Sequence, residues 1–281
     1  MKLDSAIESM PRWARIGNGA GMLVALMLAF AAAGCALGDR VIRGAGSSIS
    51  ASPTTVAPTD LPAAAVLVEA KLVGGFIMPG LRAIRAPRLV VYGDGRAVAD
   101  ASRVLTLAAG DVQALMTVLD RDVAGIPSTV RPRGGVAVMD APTSVLTVRA
   151  ADGAPRRVSA AGLAELAGAY PAELTQAWSR ITVLAQRVIT TGSDYRADRV
   201  RLVGALAAEP TGAVRVWPAG VSVPPSAAQD GSMVLDVTGP TAAAVVRQVP
   251  RDAAASGRWP LYRTPQGKVV ALAWRYLLPH E

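Results

Sequence analysis

Arg88-Leu89-Val90-Val91-Tyr92-Gly93-Asp94-Gly95-Arg96-Ala97-Val98-Ala99 is the stretch whose reading decides the fold. Two apolar, largely β-branched runs flank Gly-Asp-Gly, and the glycines permit the positive φ that a tight reversal needs. The pattern predicts a β-hairpin. It recurs at Thr143-Ser-Val-Leu-Thr-Val-Arg149, a turn at Asp152-Gly153, and Arg156-Arg-Val-Ser159. A third hairpin is expected at the end of the chain: Trp259-Pro-Leu-Tyr262, a turn at Pro265-Gln-Gly267, then Lys268 to Leu278.

Working outward, Ala64 to Val73 reads as a strand that closes at Gly74-Gly75. Val112, Leu115, Met116 and Leu119 fall at i, i+3, i+4 and i+7, which predicts a helix with Asp111 as N-cap and Gly125 as its stop. Leu174, Trp178, Ile181, Leu184, Ala185 and Val188 mark a second amphipathic helix ending near Gly192. Beyond it, Arg199-Val-Arg-Leu-Val203 alternates as a half-solvated strand does, with Val200 and Leu202 on one face and Arg199 and Arg201 on the other. Val214 to Trp217 repeats the idea. A Pro-rich crossing at Val223-Pro-Pro-Ser226 leads to a strand over Ser232–Val237 and a short helix from Thr241.

The expectation is an α+β fold of antiparallel β-hairpins packed against a few helices. Two subdomains, 62–192 and 197–281, are expected to meet near 191–198.

The N-terminal segment has a different character. Arg12 and Arg15 precede an apolar run from Gly21 to Phe30 that continues through Ala31-Ala32-Ala33 to Gly34 and Cys35. The run is shorter than the ~20 apolar residues of a permanent membrane helix and has the flanks of a signal-peptide core. Residues 1–34 are therefore expected to be a signal peptide. Asp4 and Glu8 are unusual in such a leader, and Met10-Pro-Arg-Trp-Ala-Arg15 makes a cleaner basic start, so both starts stay open. Residues 35–61 hold Gly44-Ala-Gly-Ser-Ser-Ile-Ser-Ala-Ser-Pro-Thr-Thr and Ala57-Pro-Thr-Asp, the composition of a flexible linker.

Ala32-Ala33-Gly34-Cys35 resembles the lipobox of bacterial lipoproteins, with Ala32 standing where that family usually carries Leu. The resemblance implies that the Cys35 thiol is diacylated and the chain cut just before it. Two acyl chains anchor stably, at ~0.8 kcal/mol per buried CH₂. Two further resemblances cover most of the folded part. Tyr92-Gly-Asp-Gly-Arg96, a helix, Asp140-Ala-Pro-Thr-Ser-Val-Leu-Thr-Val148 with Ala151-Asp152-Gly153, and a second helix are similar to a module of uncharacterised secreted bacterial proteins, over roughly 64–190. The closing Tyr262…Ala273-Trp-Arg-Tyr-Leu-Leu-Pro-His-Glu281 is similar to actinobacterial lipoproteins ending in a YxLxFRPLLPDE-like segment. These families imply an exported lipoprotein and carry no assigned activity.

Composition removes several function classes. The chain has 281 residues, one cysteine and one histidine, Cys35 and His280. An internal disulfide, a Cys/His zinc site and a CxxC redox centre are excluded. A Ser–His triad would depend on His280, whose penultimate position is a poor place to hold a base rigidly. No catalytic, metal-binding or cofactor-binding residue is singled out.

The net charge of +8 comes almost wholly from arginine, since lysine occurs only at 2, 71 and 268. Arg131-Pro-Arg133, Arg156-Arg157 and Arg196/Arg199/Arg201 could contribute a basic surface that touches anionic lipid or wall polymer weakly. Nucleic acid is not an expected partner, because no stacking aromatics interleave with these charges.

Other constellations have plainer readings. Gly93-Asp94-Gly95 is a turn and not a phosphate loop. Gly74-Gly75-Phe76 with Pro79-Gly80 is read as a strand break, the alternative being a flexible lip over a groove. Trp259, Tyr262, Trp274 and Tyr276 concentrate rings near the end of the chain, where a sugar-binding protein would use them as a stacking platform. Leu272, Trp274, Tyr276 and Leu278 share one strand face, which makes Trp274 a core residue and leaves Arg275 on a solvated face.

The functional expectation is a lipid-anchored protein on the outer face of the cell membrane, held at Cys35, acting as a non-enzymatic binder or scaffold. The alternative is a wall-active hydrolase using carboxylates, for which Asp120/Asp122 and Asp194/Asp198 are the acidic pairs.

Overall fold

In the computed structural model the described residues are 62–281, except 79, 137, 208–209, 211, 226–230 and 252–258. The export segment, Cys35 and the linker over 35–61 lie outside the described residues, as does Ser226 of the Pro-rich crossing.

The fold is α+β, with antiparallel hairpins packed against helices. Strand β1 (Val66–Val73) is followed by a single helical turn, α1 (Leu81–Ile84). The first hairpin is β2 (Leu89–Tyr92) and β3 (Arg96–Ala99), paired at Val90↔Val98 and Val91↔Ala97. Gly95 sits at its turn with φ 85°, and a Cβ there would come within 2.8 Å of the Leu107 carbonyl oxygen, so no other residue fits. Strand β4 (Arg103–Thr106) leads into α2 (Ala109–Val123). A short β5 (Thr129–Val130) precedes the second hairpin, β6 (Thr143–Arg149) and β7 (Pro155–Ala161). Helix α3 (Ala172–Thr191) and the short β8 (Ser193–Asp194) complete this half.

These strands form one eight-stranded sheet in the order β5-β7-β6-β1-β2-β3-β4-β8. Only the β5–β7 pair at its edge is parallel. Period-two alternation sends Val68 and Ala70 of β1, Leu89 and Val91 of β2, and Leu146 and Val148 of β6 into one core with α2 and α3. Leu174, Ala177, Ile181, Ala185 and Val188 form the buried stripe of α3 at helical spacing. Each fully buried Leu or Ile here contributes ~1.5–3 kcal/mol.

Asp111, expected as the N-cap of α2, instead lies in its first turn, and Ala108 occupies the cap position. The helix extends back through Ala109 and Gly110. Asp111 still faces the positive end of the helix dipole, so its charge is favourable without capping.

The second sheet has five strands: β9 (Arg199–Leu206), β10 (Val214–Val216), β11 (Met233–Thr238), β12 (Leu261–Arg263) and β13 (Val269–Tyr276). Their order is β10-β12-β13-β9-β11, with the β10–β12 edge pair parallel. Between β11 and β12 lies α4 (Gly239–Gln248), which starts ahead of Thr241 because Pro240 is well placed in a first helical turn. Leu272, Trp274, Tyr276 and Leu278 gather with Val200, Leu202 and Val245 in a second core. Val90, Tyr92, Val98 and Tyr195 join that core from the first half, so the two sheets bury side chains against each other. A third, small cluster covers the opposite face of the second sheet, where Ile84 of α1 and Trp259 meet Val203 and Ala273.

That third cluster corrects the expectation for Arg275. It was placed on a solvated face, but it is only 6% exposed. Both faces of β13 are covered, so alternation alone does not put Arg275 in water.

Candidate functional site

A cluster of charged groups forms where His280 meets the first sheet and Glu281 the second. On β1, Val68 and Ala70 point to the helices, so Glu69 and Lys71 project from the other face. Lys71 donates from Nζ to Glu69 Oε2 at 2.9 Å. His280 Nε2 lies 3.6 Å from Glu69 Oε1, an ion-pair distance, while its Nδ1 is hydrogen-bonded to the Tyr92 hydroxyl at 2.8 Å.

The His280 ring beside it is the largest influence holding the Glu69 carboxyl down, to about 2, against the opposing effect of burial and with help from Lys71. Burial pushes the Tyr92 hydroxyl well above its ordinary range, the neighbouring Tyr195 adds to the rise, and Arg96 opposes it from 5.5 Å over the ring.

This placement overturns the view of His280 as a loosely held penultimate residue. Both ring nitrogens have partners, one on each of two adjacent strands. The hydroxyl at Nδ1 belongs to Tyr92, which is fully buried and strongly favoured in its neutral form. The trio fastens His280 to the first sheet.

Next to it a row of charges runs across the second sheet, two arginines side by side with a carboxylate beyond each. Arg275 and Arg201 are direct cross-strand partners, as are Arg201 and Asp236. Like charges directly opposite are destabilising, and here each arginine has its own carboxylate. Arg201 makes paired hydrogen bonds to Asp236, at 2.8 Å each. Arg275 does the same to Glu281, at 2.6 Å each. Burial alone would raise the Glu281 carboxyl, but Arg275 and the Leu278 backbone N–H together hold it below its usual range. Arg201, as a hydrogen-bond donor, likewise lowers Asp236.

Two hollows flank this row. A cavity of about 220 Å³ is lined by Glu69, Lys71, Arg82, Arg85, Arg275 and Glu281, among others. One of about 580 Å³ is bounded by Ser102, Arg103, Asp194, Arg251, Trp274 and Arg275, among others. In the larger one, Arg251 stacks over Trp274 and Tyr276 at 5.7 and 5.0 Å and donates to the Ala101 carbonyl at 2.9 Å.

The sequence-derived candidates are mostly dispersed by the fold. Asp122 is buried between Arg121 at 2.8 Å and Arg180 at 3.3 Å, whereas Asp120 faces Arg156 at 3.2 Å. Asp194 is held by Arg103 at 2.6 Å, and Asp198 is exposed. Of the arginine clusters, Arg131, Arg133, Arg157 and Arg196 are exposed, while Arg199 and Arg201 are drawn into the chain-end network. Trp259, Tyr262, Trp274 and Tyr276 are all buried, so they offer no stacking platform. Among the described residues, no group of three or more His, Cys, Asp or Glu side chains could hold a metal ion.

Glu69, Lys71, Tyr92 and Glu281 were not singled out from the sequence. The available signal was Glu69 and Lys71 at i and i+2 in an otherwise apolar strand, which marks a polar face needing partners. Comparison with protein-family models, curated proteins and solved structures finds no match to this chain.

Proposed function

We propose that this chain is an exported lipoprotein, anchored through lipid on Cys35 at the outer face of the cell membrane, whose folded part binds or scaffolds and does not cleave. The observation that carries the non-enzymatic reading is the state of Glu69 and Glu281, the carboxylates that line one cavity together. A carboxylate hydrolase needs one carboxyl raised toward neutrality as general acid. Here both are lowered by cationic and hydrogen-bonding neighbours, so this pair holds no such acid; Asp100, which burial raises, lines the larger hollow together with Asp194 and is the carboxyl that a hydrolase would need to use. The anchor rests on the Ala33-Gly34-Cys35 site after its apolar run. Among the described residues, no helix is long and apolar enough to cross a membrane.

Detergent phase partitioning of the wild type against Cys35→Ser tests the anchor. The wild type should enter the detergent phase and Cys35→Ser should lose most of that partitioning; equal behaviour would exclude the lipid anchor. Release of reducing ends from wall glycan by the purified chain, lost in Glu69→Gln, would overturn the non-enzymatic reading.

A further inference from the structure

The folded half of the chain has a single phenylalanine, Phe76, and it is 86% exposed. In a protein so poor in aromatic residues this is the opposite of core economy. Phe76 is not isolated. Val73, Met78, Val136, Val138 and Met139 are also exposed, Met139 at 85%. Val73 ends β1, and the others belong to the loop after β1 and the loop before β6, whose bases are joined because Val73 pairs with Thr143. The Phe76 N–H donates to the Asp140 carbonyl at 3.1 Å, fixing the loops side by side. Gly74 and Gly75, at φ 72° and 82°, turn the chain there in a conformation other residues adopt only with strain.

The charges around this tip are mainly positive. β5 runs parallel to β7, so Arg131 and Arg133 leave the sheet at the end where β1 finishes and β6 starts, and both are exposed. Arg85 donates to the Gly74 carbonyl at 3.2 Å from the other side. Asp140 and Glu165 are exposed acidic residues of this end, and Glu69 and Glu281, each paired with a cation, line the cavity beside Val73 and Gly74.

We propose that the tip formed by Phe76, Met78, Val136, Val138 and Met139 docks into the headgroup–acyl boundary of an anionic bilayer, with Arg131 and Arg133 against the lipid phosphates. The inference rests on the envelope location proposed above. An aromatic ring and flexible thioethers beside guanidinium groups suit that boundary, where apolar burial and attraction to anionic lipid add together. A second copy of the chain is a poorer occupant. Even fully buried, these side chains fall short of the roughly 800 Å² per partner that a stable dimer interface needs. A bilayer demands no complementary shape.

The test uses the full chain with Cys35→Ser, so that one introduced cysteine carries a nitroxide. In one sample the label sits at Val138→Cys in the tip; in the control it sits at Ala151→Cys, in the turn at the opposite end of the same sheet. With vesicles of phosphatidylcholine and phosphatidylglycerol, the label at 138 should gain exposure to oxygen and lose exposure to a water-soluble nickel chelate. The label at 151 should change in neither. Phe76→Ser with Met139→Ser should raise the lipid concentration needed for half of the change about tenfold. Arg131→Glu with Arg133→Glu should weaken the response to vesicles containing phosphatidylglycerol and leave that to pure phosphatidylcholine unaltered. A chain that sediments with vesicles while the label at 138 stays in water overturns the tip. So does spin–spin broadening at 138 without lipid, which would assign the tip to a second copy. Because residue 35 is serine throughout, failure of the Cys35 anchor in phase partitioning remains a separate result.

Discussion

The two large cores of this protein are built from different materials. The core between the eight-stranded sheet and helices α2 and α3 is almost wholly aliphatic, and its rings are Tyr170 and Trp178. The core between the sheets holds Tyr92, Tyr195, Tyr262, Trp274 and Tyr276. There the polar handles of rings are used as staples. Tyr195 donates to the Leu277 carbonyl at 2.9 Å, Tyr262 to that of Gln248 at 3.0 Å, and Trp274 to that of Val249 at 2.7 Å. Tyr92 reaches His280. The helix-backed core relies on many small contacts that tolerate exchange, whereas the inter-sheet core relies on a few rings whose polar ends tie separate segments of chain, and the Arg275–Glu281 pair sits on the other face of β13.

By that contrast, single substitutions between the sheets should be the more damaging. Trp274→Ala removes a ring at 2% exposure and leaves the Val249 carbonyl unpaired. It should cost about 3–5 kcal/mol, enough to prevent expression or to lower the urea midpoint sharply. A stable, fully folded Trp274→Ala would break the comparison outright.

Arg275→Ala should follow closely. On the other face of β13, it leaves the partly buried Glu281 with only the Leu278 N–H and Arg201 at 4.0 Å, and should cost about 3 kcal/mol by urea unfolding. A cycle with Glu281→Ala should show the double variant less destabilised than the sum of the single ones, because the two act as a pair.

Glu69 sharpens the comparison through pH. Its carboxyl is lowered from 4.5 to about 2 on folding, so its contribution is fully present above about pH 4.5 and is lost as pH falls through about 2. The difference corresponds to at most ~3 kcal/mol. Urea midpoints of the wild type should decline over that window, and Glu69→Gln should flatten the decline. An unchanged slope would mean that His280 and Lys71 do not hold Glu69 in solution. The smallest effect belongs to the aliphatic core: Ile181→Val should cost only about 1 kcal/mol by the same measurement. A loss as large as that of Trp274→Ala would show the helix-backed core to be the more specialised of the two.

Legibility in the sequence follows the same division. The hairpins, α2 and α3 announce themselves by Asp-Gly turns and by apolar periodicity. Strand β4 does not, because the turn before it is Asp100-Ala101, both in the left-handed region with φ 49° and 47°, and neither is the glycine such a turn usually shows. Ala101 is 1% exposed in the inter-sheet core and Arg251 bonds its carbonyl, so tertiary contacts offset a local cost that the sequence advertises as unfavourable. The single turn α1 is too short to carry a periodic signal, and the chain-end network has no local motif, since Glu69, Tyr92, Arg275 and Glu281 come from opposite ends of the folded part.

Sequence by itself determined which residues share a face, because the periods of two and 3.6 are properties of the backbone. It placed Trp274 and Tyr276 together with Leu272 and Leu278, and it placed Val200 opposite Arg201. What only the tertiary structure decided is which faces are dry. Arg275 lies on the face of β13 that looks solvated by alternation, and it is buried because α1 and Trp259, from distant segments, cover the neighbouring residues of that face. His280 is rigid for a related reason. Nothing within a few residues of it supplies a partner, but folding brings β1 and β2 to both of its nitrogens. A local pattern encodes the direction of a side chain; the medium it meets depends on elements that pack against it from far along the chain.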